Sequence, residues 1–207
     1  MLYFLLLDSF LPKVNTTQLP FTLKLQHEHN EALRKGLREG RYDAILCIQD
    51  KPDPGVKTKL LKQVPLLLVL PENHPACQKA ISIPGERFPY LPIHELEGER
   101  FIIQQPAQQL RWQEDKLLHS GKIKNFSTFE IDSTPNAMRL VSGESGVGFL
   151  MESYVGSVTQ FKNLRFFRTD TPKNTPWLMV CYLPNQKKNP HIKQLLHLLE
   201  ASAKKIL

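Results

Sequence analysis

The sequence predicts an α/β protein in which strands and helices alternate along the chain. Segments 21–29 and 42–48 have the apolar patterning of strands, and segment 31–40 between them has the apolar spacing of a helix. Apolar runs at 64–71 and 100–104 continue the alternation further along the chain. This order is typical of open sheets whose faces are covered by helices.

The opening segment "MLYFLLLDSFLP" is apolar enough to suggest a secretion signal, but it lacks the other features of one. It has no basic start, its apolar run stops at Asp8, and no small-residue cleavage site follows. We therefore interpret it as the first structured element and expect a cytoplasmic protein. Nowhere does the sequence contain the roughly 18 consecutive apolar residues that a membrane span requires, so no membrane partner is expected.

The first strand–helix–strand unit follows. "FTLKLQHEH" (21–29) has apolar residues at alternate positions, as a strand does. Asn30 is the expected N-cap of the next helix, and Gly40 its C-terminal stop. "YDAILCI" (42–48) is a continuous apolar strand. This order predicts a parallel strand pair joined by a crossover helix.

The remaining elements keep the alternation. A proline-rich loop (49–57) leads to the buried strand 64–71, and prolines interrupt the long loop 72–98. Strands are predicted at 100–104, 125–132, 146–155, 164–169 and 177–184, and helices at 109–121, 133–144 and 190–207.

The glycine-rich loop "LVSGESGVGFLMES" (140–153) has the glycine spacing of a phosphate-binding loop, but not its chemistry. Phe149 and Leu150 stand where the lysine and the serine or threonine are needed, and a helix precedes the loop instead of following it. A nucleophile elbow would need glycine at position 147, which is valine. We interpret the loop as a helix C-cap that leads into a buried strand.

Other sites of chemistry are sparse. His27 and His29 are spaced as metal ligands could be, but no third ligand is evident, so neither a metal nor a cofactor is expected. The three cysteines fit a reducing compartment and not a disulfide scaffold. The net charge of +7 is spread along the chain. It is consistent with a solvated surface and also with one that attracts an anionic ligand.

Five segments, in order, resemble the effector-binding domain of the LysR-type transcriptional regulators. The residues that carry the resemblance are "ALRKGLREGRYDAILCI" (32–48), "PLLLVLPENHPAC" (65–77), "ELEGERFIIQ" (95–104), "AMRLVSGESGVGFLMESYV" (137–155) and "NPHIKQLLHLL" (189–199). Arg100 departs from the pattern, because the family usually has proline at this position. Each motif is weak alone, and their common order is specific.

The resemblance implies a two-lobed, periplasmic-binding-protein type 2-like fold with two crossing hinge strands. It places lobe I at 1–71 plus 170–207 and lobe II at 72–169, with the effector in the cleft between them. The opening is shorter than the family's usual first strand plus first helix. "LYFLLLD" (2–8) is therefore either a first strand followed by a stunted helix, or part of a segment that is all helix.

Mapped onto this sequence, the family's cleft falls at four strand ends. The expected ligand-binding residues are Asp8, Ser9, His29, Asn30, Gln104, Gln105, Asp132, Ser133 and Thr134. Helix capping is an alternative role for Asn30, Ser133 and Thr134, and an ordinary exposed loop is the alternative for Gln104 and Gln105. The helical interpretation of the opening segment weakens the case for Asp8 and Ser9.

The expected function is a ligand-sensing regulatory domain that binds a small polar, anionic metabolite and signals through a homodimer. The family's winged helix-turn-helix is not recognisable in this sequence, so DNA is expected as a partner only through a domain absent from this chain. One alternative is a solute-binding protein of a transport system, which would carry a secretion signal. A bilobal enzyme is the other, and it would need a catalytic set that the sequence does not display.

Overall fold

The computed structural model describes residues 2–106, 108, 110–169 and 175–204, with side chains from residue 9 onward. It divides into two compact units, of which unit 1 comprises residues 1–64 and 175–207 and unit 2 comprises residues 65–174. The lobe boundaries implied by the family resemblance, at 71/72 and 169/170, stay a prediction.

Both units combine helices with a β-sheet, which confirms the α/β class. In chain order the elements are α1 (Leu2–Thr16), α2 (Asn30–Arg38), β1 (Ala44–Gln49), β2 (Lys57–Gln63), β3 (Leu66–Pro71), β4 (Arg100–Gln104), α3 (Arg111–Ser120), β5 (Ser127–Ile131), α4 (Thr134–Ser142), β6 (Val147–Met151), β7 (Leu164–Phe167), β8 (Trp177–Tyr182) and α5 (Pro190–Ala203). Short 3-10 helices occupy Pro75–Lys79, Ile93–Leu96, Glu152–Val158 and Pro184–Lys188.

Unit 1 is built on a sheet with the order β1-β8-β2, in which both neighbours are antiparallel to the central strand β8. Its core is a cluster of buried side chains contributed by α2, β1 and β8, namely Leu37, Ile45, Cys47, Met179 and Cys181. The unit therefore joins the early part of the chain to its last strand.

The predicted strand 21–29 is wrong. Residues 22–29 carry neither helix nor strand in the structure, and Leu25 on the supposed apolar face is 41% exposed. A strand needs ladder hydrogen bonds to a neighbour, and β1 forms its ladder with β8 instead. The predicted parallel pair with its crossover helix is therefore wrong as well.

The opening segment is helical, because α1 covers Leu2–Thr16. Of the two interpretations left open by the sequence, the all-helix one is confirmed. Asp8 and Ser9 thus lie within a helix and do not follow a first strand, which corrects their expected placement.

Strand β2 was not predicted. Its sequence "KTKLLKQ" lacks strict alternation of apolar and polar residues, because an edge strand that is partly exposed on both faces does not need it. Its pairing with β8 also shifts register between Leu60 and Lys62.

Unit 2 is built on a mixed sheet with the order β5-β4-β6-β3-β7. Strand β4 is parallel to both β5 and β6, whereas β3 is antiparallel to β6 and β7. The rings of Phe101 and Phe149 stack in the core with their centroids 5.6 Å apart. Each of these strands had been predicted from its apolar pattern.

The glycine-rich loop is the helix C-cap that the sequence predicted. The Gly143 N–H donates to the Arg139 carbonyl at 2.8 Å at the end of α4, and β6 begins at Val147. Gly146 has φ +154°, and a Cβ there would lie 2.4 Å from the Arg100 carbonyl oxygen. The loop therefore brings its backbone close to β4, which explains a glycine at this position.

Candidate functional site

Unit 2 brings its five predicted ligand-binding residues together at one edge of its sheet. Because β4 and β5 are parallel, their carboxyl ends meet, and Gln104 is in register with Ile131. Gln105 follows β4, and Asp132, Ser133 and Thr134 follow β5 and lead into α4. Open α/β sheets bind ligands beyond such strand ends.

A direct side-chain contact joins the two strand ends. The Gln104 amide Nε2 donates to the Thr134 hydroxyl Oγ1 at 3.4 Å, and both residues are only 3% exposed. Beside them, the Gln105 N–H donates to the Ile131 carbonyl at 3.1 Å, while the Gln105 side chain is exposed. Gln104 and Thr134 are thus buried at this edge of the sheet, whereas Gln105 is exposed there.

Ser133 is the N-cap of α4, where its hydroxyl accepts from the Asn136 N–H at 3.4 Å. The capping role considered for Ser133 is therefore confirmed. The carbonyl of exposed Asp132 accepts from the Gln108 Nε2 at 3.4 Å. A helix N-terminus with polar side chains around it favours negative charge.

Helix α3 holds the backbone of Gln104 from both sides. The Glu114 carboxyl Oε2 accepts from the Gln104 N–H at 2.8 Å, and the Arg111 Nη1 donates to the Gln104 carbonyl at 2.9 Å. Arg111 is itself held by Asp115 at 2.8 Å and by Glu130 at 2.7 Å. The end of β4 is consequently fixed by neighbouring side chains, as a preformed binding site requires.

Glu114 is 1% exposed, and burial raises the pKa of its carboxyl to about 8. The Gln104 N–H and the Arg111 guanidinium act in the opposite direction, because both favour the carboxylate. Sequence reasoning predicted the helix at 109–121 but did not single out Glu114. The available signal was its spacing from Leu110, Leu117 and Leu118, which places the carboxyl on the apolar stripe of α3.

The four predicted ligand-binding residues of unit 1 lie at two helices. Asp8 and Ser9 are part of α1, where the Ser9 carbonyl accepts from the Ser202 hydroxyl at 3.3 Å. His29, and not Asn30 as predicted, is the N-cap of α2, and its side chain makes no capping bond. Asn30 is the first residue of the helix. A ligand-binding role for these four residues stays a prediction.

The described residues contain no group of three or more histidine, cysteine, aspartate or glutamate side chains arranged to hold a metal ion. No helix in the same part of the chain combines the length and the apolar character needed to cross a membrane.

Comparison with known proteins identifies the family. The family described as "LysR substrate binding domain" matches residues 11–204. A curated relative from Bacillus subtilis (strain 168), named uncharacterized HTH-type transcriptional regulator YybE, is 25% identical over 130 residues. That match covers 62% of this chain and 41% of the relative, so the chain spans less than half of the relative's length.

Solved structures show the same fold. An OxyR mutant from Corynebacterium glutamicum has a TM-score of 0.79 and 18% identity, covering 98% of this chain and 61% of that one. The CcmR regulatory domain from Synechocystis, solved in complex with 2-PG, has a TM-score of 0.72 and 19% identity, covering 99% and 93%. These likenesses confirm the expected periplasmic-binding-protein type 2-like fold.

Proposed function

The chain belongs to the LysR substrate binding domain family, and from that membership we propose that it senses a small polar, anionic metabolite for a bacterial transcription regulator. The curated relative is named as an HTH-type regulator, and the structural neighbour from Synechocystis was solved with a small molecule, 2-PG. Both support a regulatory domain that responds to an effector.

The convergence of Gln104, Ser133 and Thr134 carries the proposal. An amide and two hydroxyls lie at the meeting point of the β4 end and the α4 N-terminus, and the Gln104–Thr134 contact measures 3.4 Å. Short polar side chains of this kind fix the orientation of a small ligand through hydrogen bonds. The α4 N-terminus favours an anionic group, and the net charge of +7 favours the approach of anions.

A thermal-shift screen of small carboxylic acids and phosphate esters tests this proposal. A compound that binds the folded protein raises its apparent stability. We expect one or more compounds to raise the melting temperature of the wild type and to lose most of that effect in Gln104→Leu, which keeps a similar volume without the amide. A compound that stabilises both proteins equally would place its site elsewhere and refute the proposed one.

The second part of the proposal is a homodimer, through which effector occupancy would reach DNA-binding domains. It is supported by the edge strand β5, where residues 127–130 are all exposed and Phe129 is 47% exposed. An exposed edge with an aromatic side chain is a ready pairing surface. Sedimentation at micromolar concentration should give a dimer for the wild type and a monomer for Phe129→Glu.

Leu60→Glu provides a matched control, because Leu60 is 44% exposed on the edge strand β2 of unit 1. This variant should remain dimeric. A wild-type monomer would contradict the dimer, whereas a monomeric Leu60→Glu would contradict its assignment to β5.

Contact with DNA would then be made by another domain of the regulator. We expect residues 1–207 to bind DNA weakly, without sequence preference and less at higher salt. A gel shift that discriminates an operator from scrambled DNA at physiological salt would contradict this.

The family and its structural neighbours are regulator domains and not enzymes, and neither comparison favours the transport alternative. A cytoplasmic location is part of the same proposal.

A further inference from the structure

Two cysteines from opposite ends of the chain meet in the core of unit 1. Cys47 lies on β1 and Cys181 on the adjacent antiparallel strand β8, and both point into the same buried cluster. Their sulfur atoms are 3.6 Å apart, and the two residues are 2% and 0% exposed. This distance is within reach of a sulfur–sulfur hydrogen bond, and both cysteines are free thiols.

The surroundings of the two sulfurs differ. The Thr58 hydroxyl on β2 lies 3.7 Å from the Cys181 sulfur, so Cys181 has two neighbours that can donate a hydrogen bond to its thiolate, Thr58 and Cys47. These neighbours lower the pKa of the Cys181 thiol, with the Cys47 bond as the largest cause and burial acting against it. The ion pair of Arg34 with Asp53, with a separation of 3.0 Å, stands near both thiols.

We propose that Cys47 and Cys181 are an oxidisable dithiol, which a peroxide converts into an intramolecular disulfide. The proposal goes beyond effector sensing, since it concerns a covalent modification of unit 1. It rests on the contact between the two sulfurs and on the hydroxyl donor beside Cys181. An ordinary core thiol would have neither.

The chemistry balances with one molecule of hydrogen peroxide. The Cys181 thiolate attacks one peroxide oxygen, the O–O bond breaks, and the leaving hydroxide takes up the thiol proton to become water. The Cys47 sulfur then attacks the resulting sulfenic acid, the S–O bond breaks, and a second water leaves with the Cys47 proton. The two sulfurs lose two electrons in total, and the peroxide gains them.

Closure requires only local movement. A disulfide has a sulfur–sulfur length of about 2.05 Å, so the sulfurs must approach from their present 3.6 Å. Access is expected through β2, which is an edge strand whose pairing with β8 is irregular between Leu60 and Lys62. Edge strands open more readily than central ones, so we expect oxidation to be slow compared with that of an exposed thiol.

Mass spectrometry of the whole chain tests the proposal in a Cys77→Ser variant, which removes the third and more exposed cysteine. The native protein is treated with hydrogen peroxide, unfolded, and then alkylated with N-ethylmaleimide. We expect a monomer about two mass units lighter than the starting protein, in agreement with the loss of two hydrogens, and without alkyl groups. Reduction before alkylation should regenerate both thiols, so that the chain then carries two alkyl groups.

Phenylarsine oxide, which bridges two neighbouring thiols, gives a second readout that does not depend on peroxide treatment. We expect one arsenic per chain in Cys77→Ser, and none after additional replacement of Cys47 by serine. Two alkyl groups retained after prolonged peroxide treatment would overturn the proposal. So would sulfinic or sulfonic acid on single cysteines, or a disulfide between two chains.

Discussion

Replacing Glu114 with glutamine should abolish a large pH dependence of the stability of unit 2. Burial raises the pKa of this carboxyl from its usual 4.5 to about 8. Between these two values the unfolded chain releases the proton while the folded chain keeps it. The free energy of unfolding therefore falls as the pH rises through this window, and the full loss is present above about pH 8.

The magnitude follows from the two pKa values. At about 1.4 kcal/mol per pKa unit, the rise from 4.5 to about 8 corresponds to about 5 kcal/mol. About 3–4 kcal/mol of this change falls between pH 5 and pH 8. Glu114→Gln retains an oxygen that can accept from the Gln104 N–H. The variant therefore has no ionisable group at this position but keeps the hydrogen bond to Gln104.

The assay is urea unfolding between pH 5 and pH 9, followed by the fluorescence of Trp112 in α3. A Trp177→Phe background removes the signal from unit 1, since Trp177 lies on β8. The free energy of unfolding of Glu114→Gln, relative to that of its parent, should rise by about 3–4 kcal/mol from pH 5 to pH 8. In the control Glu144→Gln, which replaces an exposed carboxylate, the same difference should stay flat. If the difference in the free energy of unfolding between Glu114→Gln and its parent does not change with pH, the reasoning is refuted.

Two further predictions concern packing, and urea unfolding measures both. Gly146→Ala should lose about 1–3 kcal/mol, because its Cβ would lie 2.4 Å from the Arg100 carbonyl oxygen, whereas Gly156→Ala meets nothing within 4 Å and should change little. Equal losses would contradict the steric explanation. Leu67→Ala should lose about 2–5 kcal/mol, because Leu67 is fully buried, and Leu60→Ala should lose far less, because Leu60 is 44% exposed. A mild effect at Leu67 would contradict the assignment of β3 to the core.

Local patterns in the sequence were sufficient for most of unit 2. The apolar runs at 100–104 and 147–151 are strands because both of their faces are buried. The cap residue Ser133 and the following Pro135 mark the start of α4. Such signals depend on neighbours within a few residues, and the sequence contains them directly.

Pairing between distant strands could not be predicted in the same way. Segment 21–29 alternates as a strand does, yet β1 pairs with β8, which is more than 100 residues further along the chain. Alternation predicts which side chains face inward, but it does not specify the partner that completes the ladder. The prediction of a parallel strand pair was wrong for this reason.

At the candidate site, the sequence predicted the strand ends but not what holds them. Gln104 and Thr134 were expected because the family resemblance places the cleft at strand ends, and the parallel pairing of β4 and β5 brings them together. Glu114 was missed because a charged side chain in a helix is usually solvated. The leucines beside it on the apolar stripe indicate that Glu114 is buried only once α3 is known to pack against β4.

Effector binding at the meeting point of β4 and α4 is tested most directly by calorimetry. The compound with the largest thermal shift is titrated into wild type, into the double variant Ser133→Ala, Thr134→Ala, and into Asn189→Ala. Asn189 caps α5 by accepting from the His191 N–H at 2.9 Å, so its loss costs a helix cap in unit 1 and leaves the residues of unit 2 unchanged. We predict that the double variant binds about 1–3 kcal/mol more weakly, while Asn189→Ala binds as the wild type does. Unchanged affinity in a folded double variant would contradict the proposed site.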